Sequence, residues 1–185
     1  KMPYLKKDYA QTLQFVFAGA LVVGKRPLLT IKIIELLNKN GTAAQLHMFG
    51  EGVMRQELEA YITDNNLKQC ITLHGNQEKE VLREALKKAH FTILPSKSEG
   101  WPKAVAEGMF FGAIPISTKI SCLEWMLDYG QRGILIIPDE VLAVQEIQRH
   151  LRDADLDTMA EAALNWSQQY TLETLEAAIA QNMLD

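Results

Sequence analysis

Residues 91–118, FTILPSKSEGWPKAVAEGMFFGAIPIST, decide how this chain is read. "FTILPS" (Phe91 to Ser96) and "AIPIST" (Ala113 to Thr118) are short apolar runs, too short for helices and apolar on both faces, as a strand covered on both sides must be. Between them "PKAVAEGMFFG" has helical spacing. It opens at Pro102, whose missing N–H costs nothing in a first turn, and Gly112 follows it. Strand, helix and strand joined by short loops make a parallel crossover unit. The same stretch carries two glutamates, Glu99 and Glu107, the second set among Ala104, Val105, Ala106, Met109, Phe110 and Phe111. A charge in such company calls for a partner.

The alternation extends in both directions. Strands are expected at "LQFVFAG" (Leu13 to Gly19), "AQLHMFG" (Ala44 to Gly50), "CITLHG" (Cys70 to Gly75) and "GILIIP" (Gly133 to Pro138). Helices are expected in "RPLLTIKIIELLNKNG", "VMRQELEAYITDNN", "EKEVLREALKKA", "CLEWMLDYG" and "DEVLAVQEIQRHLRD", then at Asp155 to Gln169 and Thr171 to Leu184. The predicted class is α/β: a doubly wound, mostly parallel, six-stranded Rossmann-like sheet with helices on both faces. No repeat or internal linker divides the chain, so a single domain is expected over residues 1–185, its core at about 13–154 and C-terminal helices at about 155–185.

The totals narrow the function classes. The 185 residues are 48% apolar and 23% charged, with a net charge of −4 and scattered Lys and Arg. That balance excludes a broad nucleic-acid or membrane surface but leaves room for a small anion pocket. Cys70 and Cys122 read as buried thiols of a reducing compartment, not as a disulfide or zinc site. His47, His74, His90 and His150 have neither metal nor catalytic-triad spacing. With no apolar run of membrane length and no signal peptide, the cytoplasm is expected. The opening "KMPYLKKDYAQT" reads as a cut into a longer protein.

A doubly wound sheet binds ligands outside the carboxyl ends of its strands. That rule selects four loops, at 18–27, 50–53, 75–78 and 96–103. In the last, the N–H groups of Gly100, Trp101, Lys103 and Ala104, around Pro102 at a helix start, are placed to face an anion. Glu107 lies five residues on, roughly 7–8 Å along the axis, about the reach from a diphosphate to the ribose of the same nucleotide. Glu99, across the turn, faces whatever is attached beyond the phosphates. In the first loop, "AGALVVGKRP", Gly19 permits close backbone approach. Lys25 and Arg26 stand at a helix N-terminus, where cations oppose the macrodipole and phosphate gives them a reason. Gly50 and Gly52 of "FGEGVMR" make a G-x-G turn without the third glycine of a dinucleotide fingerprint, and no P-loop is present. Asn76 of "LHGNQ" is offered to a base edge.

These stretches resemble the C-terminal, donor-binding domain of GT-B fold glycosyltransferases of family 4, the glycosyl transferases group 1. "PSKSEGWPKAVAEGMFFGAIPIS" looks like that family's E-x7-E segment, "FAGALVVGK" is similar to its first strand and lysine loop, and "LHMFGEGVMRQELE" to its second strand and G-x-G turn. The likeness covers about Phe15 to Pro138. It implies that Glu107 holds the ribose hydroxyls and Glu99 those of the transferred sugar. Backbone amides from Gly100 to Ala104, with Lys25, would bind the diphosphate. It implies sugar transfer from a nucleotide-diphosphate sugar with retention of configuration, in bacterial polysaccharide or glycoconjugate synthesis, with no cofactor and no metal. The implied partners are the donor and an N-terminal acceptor domain absent from this chain, through which alone the enzyme would touch the cytoplasmic face of the membrane.

Three positions depart from the pattern. Ala20 stands where the family usually has Arg, leaving open whether Lys25 or Arg26 holds the diphosphate. Gly108 replaces a usual Ala, and "KISCLE" replaces a loop that often carries paired glycines, which puts the role of Glu124 in doubt. Two other classes fit the residues: a glycoside hydrolase using Glu99 and Glu107, and a non-catalytic nucleotide-binding module.

Overall fold

The computed structural model describes residues 3–120 and 122–170. Six strands follow one another as β1 (Leu13–Ala18), β2 (Ala44–Phe49), β3 (Ile71–Gly75), β4 (Phe91–Leu94), β5 (Ile114–Thr118) and β6 (Ile134–Ile136). All five pairings are parallel, in the order β3-β2-β1-β4-β5-β6. The helices are α1 (Pro27–Lys39), α2 (Arg55–Asp64), α3 (Lys79–Lys88), α4 (Lys103–Phe110), α5 (Leu123–Met126), α6 (Glu140–Asp153) and α7 (Leu156–Ser167). Every predicted strand is present. The helix predicted at Thr171 to Leu184 lies outside the described residues.

The apolar strand runs are the reason for this architecture. Phe15, Phe17, Leu46, Met48, Phe91, Ile93, Ile114 and Ile116 are all fully buried, and the rings of Phe15 and Phe91 stack 5.0 Å apart across β1 and β4. Each such side chain contributes about 1.5–3 kcal/mol on burial. On the other face of the sheet, Val16 and Phe49 pack with Leu86 and Ala89, at the end of α3, and with Ala113.

Local signals fix the helix starts. Pro27 is the first residue of α1, and Asp139 caps α6 by accepting from the N–H groups of Val141 (3.0 Å) and Leu142 (2.9 Å). Pro102 differs from the expectation. It stands one residue ahead of α4, where its ψ of 74° lies outside the helical range, so the helix begins at Lys103.

The order reverses between β1 and β4. From β1 the chain winds outward through β2 to β3, then returns to β4 on the opposite side and winds outward again. The loops leaving β1 and β4 therefore stand side by side at the carboxyl edge, where such a reversal opens a crevice for ligands. The first loop carries Lys25, and the second carries Glu99.

Candidate functional site

The two loops meet at a charge pair. Lys25 Nζ lies 2.5 Å from Glu99 Oε1, and the Ser96 hydroxyl donates to the same oxygen at 2.5 Å. The Glu99 side chain is 7% exposed and that of Lys25 27%, so the contact is largely withdrawn from water. Ser96, at the end of the β4 run, is itself fully buried. Its carbonyl accepts from the Thr118 hydroxyl (2.6 Å) and from Arg26 Nη1 (2.9 Å), which also donates to the Pro95 carbonyl at 3.1 Å. The Lys97 N–H reaches back to the Gly24 carbonyl at 2.7 Å. Residues 24–26 and 95–99 thus form one cross-braced unit.

Beside it lies a cavity of about 440 Å³, within the usual range for small-molecule sites. Gly19, Gly50, Asn76, Lys103, Ala104 and Glu107, all expected from the sequence, line it together. Glu107 is 40% exposed and its Oε1 lies 3.6 Å from Lys103 Nζ, a loose pair one helical turn apart. Ala20 is part of the same wall, so the position where the resemblance leads one to expect Arg presents only a methyl to the cavity.

Some expected residues have other employment. The Lys103 N–H donates to the Trp101 carbonyl at 2.9 Å, so it is not turned toward an anion, although the Lys103 side chain lines the cavity. Trp101 is half-exposed. The glycines of the second loop are required by packing. A Cβ on Gly50, whose φ is +131°, would fall 2.0 Å from the Gly19 carbonyl oxygen, and one on Gly52 2.4 Å from that of Leu21. The first and second loops run backbone against backbone, with Gly19 N–H on Phe49 O and Leu21 N–H on Glu51 O, both at 2.9 Å. Gly50 still borders the cavity, whereas Gly52 serves the packing.

Sequence reading overlooked several groups here. Ser96 and Thr118 brace the β4 loop, and Phe49, Glu51, Gln77 and Leu82 complete the cavity wall. Ser96 was open to discovery, since a serine three residues before a glutamate can reach its carboxylate. The Phe49 ring stacks on His74 at 4.5 Å, and His74 is hydrogen-bonded to His47 (3.0 Å between Nε2 and Nδ1). Burial pulls both imidazoles below the ordinary histidine range. Among the described residues no three His, Cys, Asp or Glu are grouped to hold a metal ion, and no helix is long and apolar enough to cross a membrane.

Comparison with known proteins gives this geometry its relatives. The model of the family described as "Glycosyl transferases group 1" matches residues 6–169. The chain belongs to that family. It is 24% identical over 161 residues, 84% of its length, to the amylovoran biosynthesis glycosyltransferase AmsK of Erwinia amylovora, and covers 40% of that protein. It is also 24% identical, again over 84% of its length, to the GDP-mannose:cellobiosyl-diphosphopolyprenol alpha-mannosyltransferase of Xanthomonas oryzae pv. oryzae, covering 42%. In fold it matches GT-B glycosyltransferases. The pneumococcal O-GlcNAc transferase GtfA, solved with UDP and GlcNAc, superposes with a TM-score of 0.80 at 18% identity, over 94% of this chain and 36% of that one. The chain therefore spans about two fifths of the length of the curated relatives named here.

Proposed function

We propose that this chain is the donor-binding domain of a retaining glycosyltransferase, which takes a sugar from a nucleotide-diphosphate donor. The observation that carries the reading is the Lys25–Glu99 pair at the reversal of the sheet, near a cavity that Glu107 lines and the pair itself does not. A donor laid along the carboxyl edge puts its diphosphate near Lys25 and the start of α4. Its ribose diol faces Glu107, and its sugar faces Glu99. When the bond from the sugar to the diphosphate breaks, negative charge gathers on the departing phosphate. Lys25, once the phosphate has drawn it from Glu99, and the positive end of α4 then stabilise that charge. The site needs no metal for this, because lysine and helix supply the positive field. Ser96 keeps the Glu99 carboxylate in place for sugar hydroxyls.

The relatives supply the context. One is named for amylovoran biosynthesis and another for mannosyl transfer from GDP-mannose to a diphosphopolyprenol-linked sugar. Bacterial polysaccharide or glycoconjugate synthesis at the cytoplasmic face of the membrane suits this chain by the same reasoning, with the acceptor held by an N-terminal domain. A hydrolase is less well supported, since it would leave the Lys25–Glu99 pair and the start of α4 at the carboxyl edge with no phosphate to meet. Titration of UDP, GDP and ADP into the chain, with and without EDTA, tests the proposal. Micromolar to millimolar binding of at least one, unchanged by EDTA and without sugar transfer by the chain alone, is the expected result. Binding that EDTA abolishes, or turnover by this chain alone, would sink it.

A further inference from the structure

Arg26 has a backbone that an arginine rarely adopts. Its φ and ψ are both 50°, in the left-handed region that glycine enters freely and an L side chain enters under strain. It stands where the single turn Val23–Lys25 ends and α1 begins, with its N–H on the Val23 carbonyl (3.2 Å) and its own carbonyl accepting from the Thr30 N–H (3.2 Å). Its side chain gives α1 no capping bond. Instead Nη1 spans the crevice to the carbonyls of Pro95 and Ser96. Those two residues are buried at the end of β4, where carbonyls that outrun the strand ladder must find other donors. Thr118 holds the Ser96 carbonyl from the β5 side, and Arg26 holds it from the β1 side. One residue after Ser96, the Lys97 N–H meets the carbonyl of Gly24, two before Arg26; three after Ser96, Glu99 meets Lys25, one before Arg26.

We infer that Arg26 is a positioning residue: a strut that fixes the Lys25 loop to the Glu99 loop, and so sets where the phosphate-binding cation and the sugar-facing carboxylate stand. Strain at a non-glycine left-handed residue persists only where the surroundings over-determine it, and here the bonds of Nη1 to the opposite loop do so. Arg26 acts on a donor through Lys25 and Glu99, not by taking a phosphate oxygen with Nη1. The inference rests on the donor-site reading above for its consequence in binding, but the strut itself can be observed without any ligand.

Arg26→Gly is the informative variant, because glycine accepts the left-handed backbone without strain, so that loss of the side chain is read apart from any backbone penalty. In the ligand-free chain, amide exchange at Lys97, whose N–H bonds across the strut, should quicken by about tenfold or more relative to the strand cores. Nucleoside diphosphate affinity, measured with whichever of UDP, GDP and ADP binds the wild type best, should fall about tenfold and return in part with added guanidinium ion. On a Lys25→Ala background the same change should cost under about twofold, since residues acting as one unit are not additive. Additive losses in that cycle would make Arg26 an independent phosphate ligand and overturn the inference, as would unchanged exchange at Lys97. A wild-type chain that binds none of the three nucleotides refutes the donor-site reading instead, and the exchange measurement still decides the strut.

Discussion

Glu99→Gln should make the chain bind a nucleoside diphosphate more tightly, although it removes a residue placed at the centre of the proposed site. Without a donor, Lys25 is already occupied by the Glu99 carboxylate at 2.5 Å, and an incoming phosphate has to compete with it. At that distance and an effective dielectric constant of about 20, the gross attraction is roughly 6–7 kcal/mol. Desolvation of both partners offsets most of it, and the net worth of a charge-assisted hydrogen bond is about 1.5–3 kcal/mol. Glutamine keeps the shape and an oxygen for the Ser96 hydroxyl but no charge for Lys25. Releasing that competition should raise affinity about 10- to 100-fold, the equivalent of roughly 1.4–2.7 kcal/mol, and should steepen its salt dependence. The nucleotide sugar should gain less, because its hydroxyls lose the carboxylate that accepts from them. Titration calorimetry of both ligands against wild type and variant, at two salt concentrations, measures this. A folded Glu99→Gln chain that binds the nucleoside diphosphate no better than wild type would refute the reasoning, for it would mean that the pair stays closed under the donor.

Glu107→Gln should cost about 1–2 kcal/mol of nucleotide affinity, at the low end for a charged acceptor because the side chain is 40% exposed. That loss should vanish with the 2′,3′-dideoxy nucleotide, and equal losses with both would assign Glu107 a purely structural role. Gly108→Ala should destabilise the chain by about 1–3 kcal/mol, since a Cβ there would fall 2.4 Å from Thr92 Cγ2. Adding Thr92→Ser, which removes that methyl, should recover only part of the loss in thermal unfolding, because the Cβ of residue 92 would still lie 2.7 Å from the new methyl. Acidification should weaken the fold through His90, whose pKa is lowered, chiefly by burial. Its Nδ1 accepts the Gln14 N–H at 3.0 Å and must be bare to do so. The unfolded chain then binds more protons than the folded one, so stability is whole above about pH 6.5 and falls below it, by at most about 1.4 kcal/mol per pH unit for this group. His90→Gln should lessen the fall of urea-unfolding stability between pH 6.5 and 5, leaving the share of His47 and His74, and an unaltered slope would contradict the assignment.

The sheet was legible because burial on both faces leaves a plain signature. "LQFVFA", "FTIL" and "IPIST" have no polar face to expose, so their pairing in a covered parallel sheet follows from composition alone. The crevice was legible one step later, since in such a sheet a single rule points to the carboxyl ends. Lys25 stood out because a cation at a helix start opposes the macrodipole, and Glu107 because a charge inside an apolar run calls for a partner. Residues whose purpose lies across the fold left no such trace. Arg26 looks like a second phosphate cation beside Lys25, and nothing in "GKRP" tells that its guanidinium is spent on carbonyls at the end of another strand.

Gly108 shows the same limit from the opposite side. Beside the alanine of the family pattern it reads as a small loss of volume, yet the Thr92 methyl of β4 occupies the space that alanine's would fill. The two positions are sixteen residues apart in the chain and touch only because α4 lies back on β4. Sequence thus discloses a site where its residues violate a local preference. Where two residues satisfy one another across the fold, as Gly108 and Thr92 do, neither violates anything on its own, and only their contact gives either one a reason.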